Sequence, residues 1–344
     1  MKAMYFDTHG GVDVLKIGSV PDPKPRAGEI LLKVKACALN HLDIWVREGW
    51  PGLNLSMPHI TGSDIAGEIV EFGEGYSGDF KVGDRVVVNP GIITKADKWV
   101  YMGEESVSPN YQIIGENRWG GLAEFVSVPA QNLLLIPDGV DFCEACAPVL
   151  VGITSWRMLL KRAGLQPGET VLIIGAGGGV NSMSLLLSLA LGARVIVLAG
   201  GKKKAKKAEE LGAHIVIDYK RDQRWWKTVL EATDGNGADI VIDNVGAPTF
   251  LGSIKAAARG GRIVTVGNTK GHEITYDNRL VFVKQISILG STMGSDEDFR
   301  SVMRFIWERG IKPVIDCVES LDCGIEMVER LERGEQFGKI VLIP

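Results

Sequence analysis

The run Thr170-Val-Leu-Ile-Ile-Gly-Ala-Gly-Gly-Gly-Val-Asn-Ser-Met-Ser offers the first recognisable chemistry. Its apolar residues read as a buried strand, its glycines as a turn, and the residues after them as a helix. Glycines at such a turn let backbone N–H groups approach a pyrophosphate at the positive end of the helix. Gly178, Gly179 and Val180 are the positions expected to make that approach. The run departs from G-x-G-x-x-G, with Ala176 at the first glycine position and Asn181 at the third. Context supports the reading, because a second strand is predicted over Arg194–Leu198 after the helix.

The end of that second strand selects the cofactor. NAD-binding units place an acid there, which accepts from the ribose 2′-hydroxyl. Here the chain reads Leu198-Ala-Gly-Gly-Lys-Lys-Lys-Ala-Lys-Lys, with no acid. Gly200 and Gly201 leave room for a 2′-phosphate, Lys202, Lys203 and Lys204 offer charge, and Tyr219 adds a hydroxyl. A lysine contact to that phosphate contributes roughly 1.5–3 kcal/mol. Other lysines of the run form a solvated helix face. The reading predicts NADP(H) and hydride-transfer chemistry.

These residues need a scaffold, and the chain supplies two kinds. Before residue 150 the sequence is rich in Gly and Pro, with short alternating strands at Glu29–Ala36, Ala66–Phe72 and Arg85–Asn89, the pattern of an irregular antiparallel β-domain. After Leu150, strands at Thr170–Ile174, Arg194–Leu198, His214–Asp218, Asp239–Asp243, Arg262–Val266 and Ile286–Leu289 alternate with helical segments. That alternation predicts an α/β, doubly wound parallel sheet. A helix, a strand, a helix and a final strand (Lys339–Ile343) come last.

At 344 residues the chain suits two domains. A net charge of −4 offers no general attraction to nucleic acid or to an anionic membrane. No apolar run reads as a bilayer span, and Met1–Gly11 lacks a signal-peptide core, so a cytoplasmic protein is expected. The cysteines (Cys37, Cys143, Cys146, Cys317, Cys323) are too scattered for a disulfide framework. Cys143-Glu-Ala-Cys146, a redox pair or half a metal site in principle, has no second pair at zinc spacing and reads as structural.

Six motifs together resemble the medium-chain dehydrogenase/reductase superfamily, the zinc alcohol dehydrogenase and quinone oxidoreductase-like proteins. They are Ala38-Leu-Asn-His-Leu-Asp, Pro58-His-Ile-Thr-Gly-Ser-Asp-Ile-Ala-Gly-Glu-Ile-Val-Glu, Gly83-Asp-Arg-Val, Gly120-Gly-Leu-Ala-Glu-Phe, the glycine turn, and Phe337-Gly-Lys-Ile-Val-Leu. The resemblance implies a GroES-like β-domain over 1–155 and 291–344, and a Rossmann NADP-binding domain over 156–290. It places the active site in a cleft between them, in a homodimer or homotetramer. It also assigns His41 to the cofactor pyrophosphate, Thr154 to the nicotinamide and Lys339 to the cofactor. The strand ends Asn244-Val-Gly, Val266-Gly-Asn268 and Leu289-Gly290-Ser291 are expected to line the same cofactor.

Departures from the family pattern shape the expected reaction. The catalytic zinc ligand positions read Asn40, Ser63, and Val151 or Asp64; Asn, Ser and Val are poor zinc ligands. In a lobe that holds a structural zinc in relatives, the four ligand positions read Thr94, Asp97, Val100 and Ser108, and packing by Trp99, Tyr101, Tyr111 and Trp119 is expected to replace the metal. Leu42 and Trp45 replace the proton relay, and Trp45 and Trp50 suggest an apolar wall for a bulky substrate. Without zinc, deprotonating an unactivated alcohol is hard, whereas reducing a ketone, a quinone or an activated alkene asks less. The expectation is therefore a zinc-independent NADPH reductase with no metal, in which Asn40 donates to the substrate oxygen and Trp45 walls the substrate. Solvent, Asp64 or His59 would supply the proton. A zinc alcohol dehydrogenase with a rearranged site, and a non-catalytic NADPH-binding protein, are the alternatives.

Overall fold

The computed structural model describes all of residues 1–344. It divides into two units, Met1–Ile153 with Gly294–Pro344, and Thr154–Met293.

The first unit is built on a mostly antiparallel sheet of seven strands. Its order runs Ile315–Ser320, Lys339–Ile343, Glu29–Ala38, Asp64–Phe72, Arg85–Val88 and Leu133–Leu135, with Phe125–Pro129 also paired to Glu29–Ala38. Ile30, Leu32 and Val34 alternate along their strand and pack with Ile65, Ile69, Val86 and Val88 in the core. Two register relations position the later chemistry. Ala38 lies across from Asp64, and Val341 lies across from Ala38. Two steps further along the second pairing, Lys339 faces Asn40, where the Glu29–Ala38 strand ends and the helix His41–Glu48 begins.

The second unit holds a six-stranded sheet, parallel throughout. Its order is Ile215–Asp218, Arg194–Ala199, Thr170–Ile174, Ala238–Asp243, Ala257–Thr265 and Ser287–Gly290. The order reverses between Thr170–Ile174 and Ala238–Asp243, and in such sheets ligands bind beyond the carboxyl ends of the strands at that point. The central strands Thr170–Ile174 and Ala238–Asp243 are buried along almost their whole length, as expected of a parallel sheet covered on both faces.

Two sequence expectations need correction. Phe142–Arg162 is helical over 21 residues and is long and apolar enough to cross a bilayer, a stretch that the sequence pattern does not single out. With 78% of its apolar window buried, its hydrophobicity serves the protein interior. Of the aromatics expected to replace the structural zinc, Tyr101 does not pack, being 82% exposed, whereas Trp119 packs against the core. Polar groups also tie that lobe together. Asp97 caps the helix Lys98–Tyr101 by accepting from the Trp99 and Val100 N–H groups, and its other oxygen accepts from the Ser108 hydroxyl at 2.7 Å. Thr94 donates to the Asn110 carbonyl, and the Asn110 amide donates back to Asp97. Thr94, Asp97 and Ser108, three of the four positions that the resemblance aligns with zinc ligands, thus meet in one hydrogen-bonded knot. All five cysteines are free thiols.

Candidate functional site

In the second unit, the strand Thr170–Ile174 turns at Gly175, whose φ of +94° suits glycine, and Gly178 caps the helix Gly179–Ala190. A Cβ built at Gly178 would meet nothing within 4 Å, so open space adjoins the N–H groups of the helix end. Asn181 explains its departure from glycine. Its amide donates to the Ile174 carbonyl at 2.8 Å and its oxygen accepts from the Asn244 amide, whose own oxygen accepts from the Val266 N–H. This chain of amides fixes three strand ends around the point where the sheet order reverses. Ser291 adds a buried hydroxyl with no partner. An open cradle at a helix N-terminus and an orphaned hydroxyl suit a dinucleotide cofactor.

The residues expected at the ribose lie together as well. A Cβ at Gly200 would come within 2.6 Å of the Tyr219 hydroxyl. Asp218, the nearest acid, accepts from the Gly201 and Lys220 N–H groups and holds the turn. Lys204 sits on the following helix, Lys202–Glu210. Sequence reasoning missed Lys220, whose Nζ lies 4.0 Å from a Cβ built at Gly201; its position directly after Tyr219 was the available signal. Thr154 is buried, Gly267 and Asn268 follow the strand Ala257–Thr265, and Leu289 and Gly290 end the strand Ser287–Gly290.

In the first unit the structure gathers Asn40, Asp64 and Lys339, and it gives them partners other than those expected. The Lys339 ammonium, 4% exposed, donates to Asn40 Oδ1 at 2.5 Å and to Asp64 Oδ2 at 2.8 Å. The Asn40 amide donates to the same Asp64 oxygen at 2.9 Å and, more distantly, to the Ala38 carbonyl. Asp64 Oδ1 accepts from the Leu150 N–H at 2.7 Å. The Asn40 amide is therefore spent within the protein instead of being held out to a substrate oxygen. Asp64, wholly buried, acts as an acceptor for three donors. Two of the three Lys339 ammonium N–H groups are committed to this cluster.

Supporting groups surround the cluster. Asp43 accepts from the Asn40 N–H at 2.7 Å and the Gly62 N–H at 2.9 Å. Gly62 has a φ of +101°, and a Cβ there would strike the Cys37 sulfur, so only glycine presents that N–H. Burial pushes the Asp43 carboxyl up to about 6, against the pull of its two backbone donors. Burial likewise lowers His59 to about 4; its Nε2 faces the Gly115 carbonyl, and a ring held neutral in this way is poorly suited to carry a proton. Ser63 is fully buried, and its hydroxyl has no partner. His41 opens the helix, and Trp45 remains 39% exposed with its ring 6.4 Å from that of His41. The donor set does not fit zinc: an amide, a hydroxyl and the apolar Val151 stand at three of the positions, and the one carboxylate is paired with an ammonium.

Comparisons with known proteins agree with this architecture. A family model described as "Alcohol dehydrogenase GroES-like domain" matches residues 26–138, and one described as "Zinc-binding dehydrogenase" matches 179–308, a stretch that includes none of Asn40, Ser63 or Asp64. The chain is 32% identical to "Zinc-type alcohol dehydrogenase-like protein YogA" of Leptosphaeria maculans, over 95% of this chain and 94% of that one. It is 30% identical to an "Acryloyl-coenzyme A reductase" of Sulfurisphaera tokodaii, over 96% of each. A solved structure titled "Crystal Structure of NAD-dependent alcohol dehydrogenase" superposes with a TM-score of 0.95 at 40% identity, over 100% of both chains. With both domains matched and the sequence aligned nearly end to end, the chain belongs to the medium-chain dehydrogenase/reductase superfamily and is built as an oxidoreductase of that kind.

Proposed function

We propose that this protein is an NADP(H)-dependent, zinc-independent reductase of activated carbonyl or alkene substrates. The observation that carries the reading is the Lys339–Asp64–Asn40 cluster, which puts an ammonium and an amide where a metal would need anionic or imidazole ligands. A bound nicotinamide cofactor supplies the hydride. The chain's own residues do the rest. Gly178, Gly179 and Val180 present backbone amides to the pyrophosphate, while Gly200, Tyr219, Lys204 and Lys220 favour a 2′-phosphate over a bare ribose. Thr154 and the ends at Asn244, Val266–Asn268 and Leu289–Ser291 complete that half.

In the other unit, the Ser63 hydroxyl and the third N–H of Lys339 are the donors left for a substrate oxygen that gains charge. Such donors stabilise an oxyanion or enolate, and do so best where water is excluded. Trp45 and Trp50, about two-fifths exposed, offer an apolar wall for a bulky or cyclic group. Resemblance to an acryloyl-coenzyme A reductase supports the activated-alkene arm. A second reading, NAD-dependent alcohol oxidation, draws on the solved relative at 40% identity.

One experiment separates these readings. Purified protein is assayed for metal content, then for oxidation of NADPH and NADH with ketones, quinones, enones and enoyl thioesters, with and without chelator. Turnover of an enone or ketone with NADPH, unaffected by chelator, is expected. One tightly bound zinc per chain, or activity confined to NAD and a simple alcohol, would sink the proposal. Tight NADPH binding without turnover of any substrate would point to a cofactor-binding protein.

A further inference from the structure

The cluster around Lys339 has the form of a cation site whose cation belongs to the chain. A positive centre lies 2.8 Å from a carboxylate oxygen and 2.5 Å from an amide oxygen, all three groups are buried, and an unpartnered hydroxyl stands at the residue next to Asp64. The ammonium is placed there by backbone pairing. Strand register sets Lys339 opposite Asn40, and Asp64 lies across from Ala38, so the three side chains converge without any loop adjusting.

We infer that Lys339 is a resident cation that takes the place of a divalent metal: it neutralises Asp64, orients Asn40 and closes this position to metal ions. The inference rests on the zinc-independent reading above and adds a cause to it. Removing the usual ligands explains why a metal would bind weakly. A fixed ammonium on Asp64 explains why restoring ligands alone would not bring the metal back, because the incoming cation must displace like charge from the carboxylate that completes its ligand set.

The test uses Co2+ alone as the probe, read by the visible bands of tetrahedral thiolate-bound cobalt and by equilibrium dialysis. Wild type, N40C/S63H and N40C/S63H/K339A are compared. Cys, His and Asp64 would then give three protein ligands, the number found in catalytic zinc sites. The triple variant is expected to bind Co2+ about 100-fold more tightly than the double variant, which corresponds to removing a like charge at short range. Equal binding by the double and triple variants would overturn the inference. So would the absence of cobalt bands from a triple variant that retains the wild-type circular dichroism spectrum. Should K339A leave the chain unfolded, K339Q keeps a donor to Asp64 and removes only the charge; the same two outcomes then apply. Tight metal binding by the wild type would defeat the zinc-independent reading itself, whereas failure of the variants alone would leave that reading standing.

Discussion

Lys339 and Asp64, 275 residues apart in the chain, form a buried ion pair at 2.8 Å. Breaking such a pair on one side leaves a charge without water or partner, which costs about 3–5 kcal/mol. Lys339→Met should therefore lower unfolding free energy in urea by that amount. The double change D64N/K339M should recover most of the loss, since it buries no charge and keeps an acceptor for the Leu150 N–H. A single Lys339→Met substitution with unchanged stability would show that the pair carries no such strain.

Cofactor choice can be tested at Gly200. An aspartate there would displace the Tyr219 hydroxyl, 2.6 Å from the new Cβ, and put negative charge beside the 2′-phosphate. NADPH affinity should fall about 10- to 100-fold, equivalent to roughly 1.5–3 kcal/mol, with NADH affinity nearly unchanged. Fluorescence titration of both cofactors measures this. Equal losses would mean that the phosphate lies elsewhere. Lys220→Ala should give a smaller loss in the same direction.

His59 makes acid stability predictable. Its folded-state value of about 4 lies below the ordinary 6.5, so its contribution is full above pH 6.5 and is lost as pH falls toward 4. Between pH 7.5 and pH 5 the loss amounts to about 2 kcal/mol. The gap in stability between wild type and His59→Gln should shrink by that much over the same interval, measured by urea unfolding at each pH. Asp43 acts in the opposite sense. Raised to about 6, it stabilises the fold fully below 3.8 and loses that contribution as pH rises through 6.

The polar knot in the lobe gives a local prediction. Asp97→Ala removes the acceptor for Trp99, Val100, Ser108 and Asn110 together. Limited proteolysis should cut between residues 94 and 110 several times faster, with the melting temperature of the rest little changed. Unaltered cleavage would show that neighbouring contacts hold the lobe without Asp97.

Much of this is legible in the sequence because local pattern determines it. The strand Thr170–Ile174 and the glycines after it are readable, as are the missing acid at Gly200 and the alternation that makes the parallel sheet. The partner of the Asn40 amide is not. That depends on which residue the final strand sets opposite position 40, and periodicity within either segment carries no information about register between them. Asn181 is legible only as a break in a motif; its service to Ile174 and Asn244 needs three strand ends in one place. Asp97 reads only as a departure from the family pattern, because a sequence does not show which N–H and O–H groups its oxygens accept from.

The strand containing Lys339 also imposes an order of assembly. Asn40 and Asp64 are synthesised early, and the whole of Thr154–Met293 is translated before the lysine that neutralises Asp64 exists. Until then the first unit has an acid in its interior with no counter-charge, and its sheet lacks the strand beside Glu29–Ala38. A nascent chain stalled anywhere before residue 339 should therefore hold a loosened first unit next to a second unit already able to fold, leaving maturation of this half of the enzyme to the last stretch of translation.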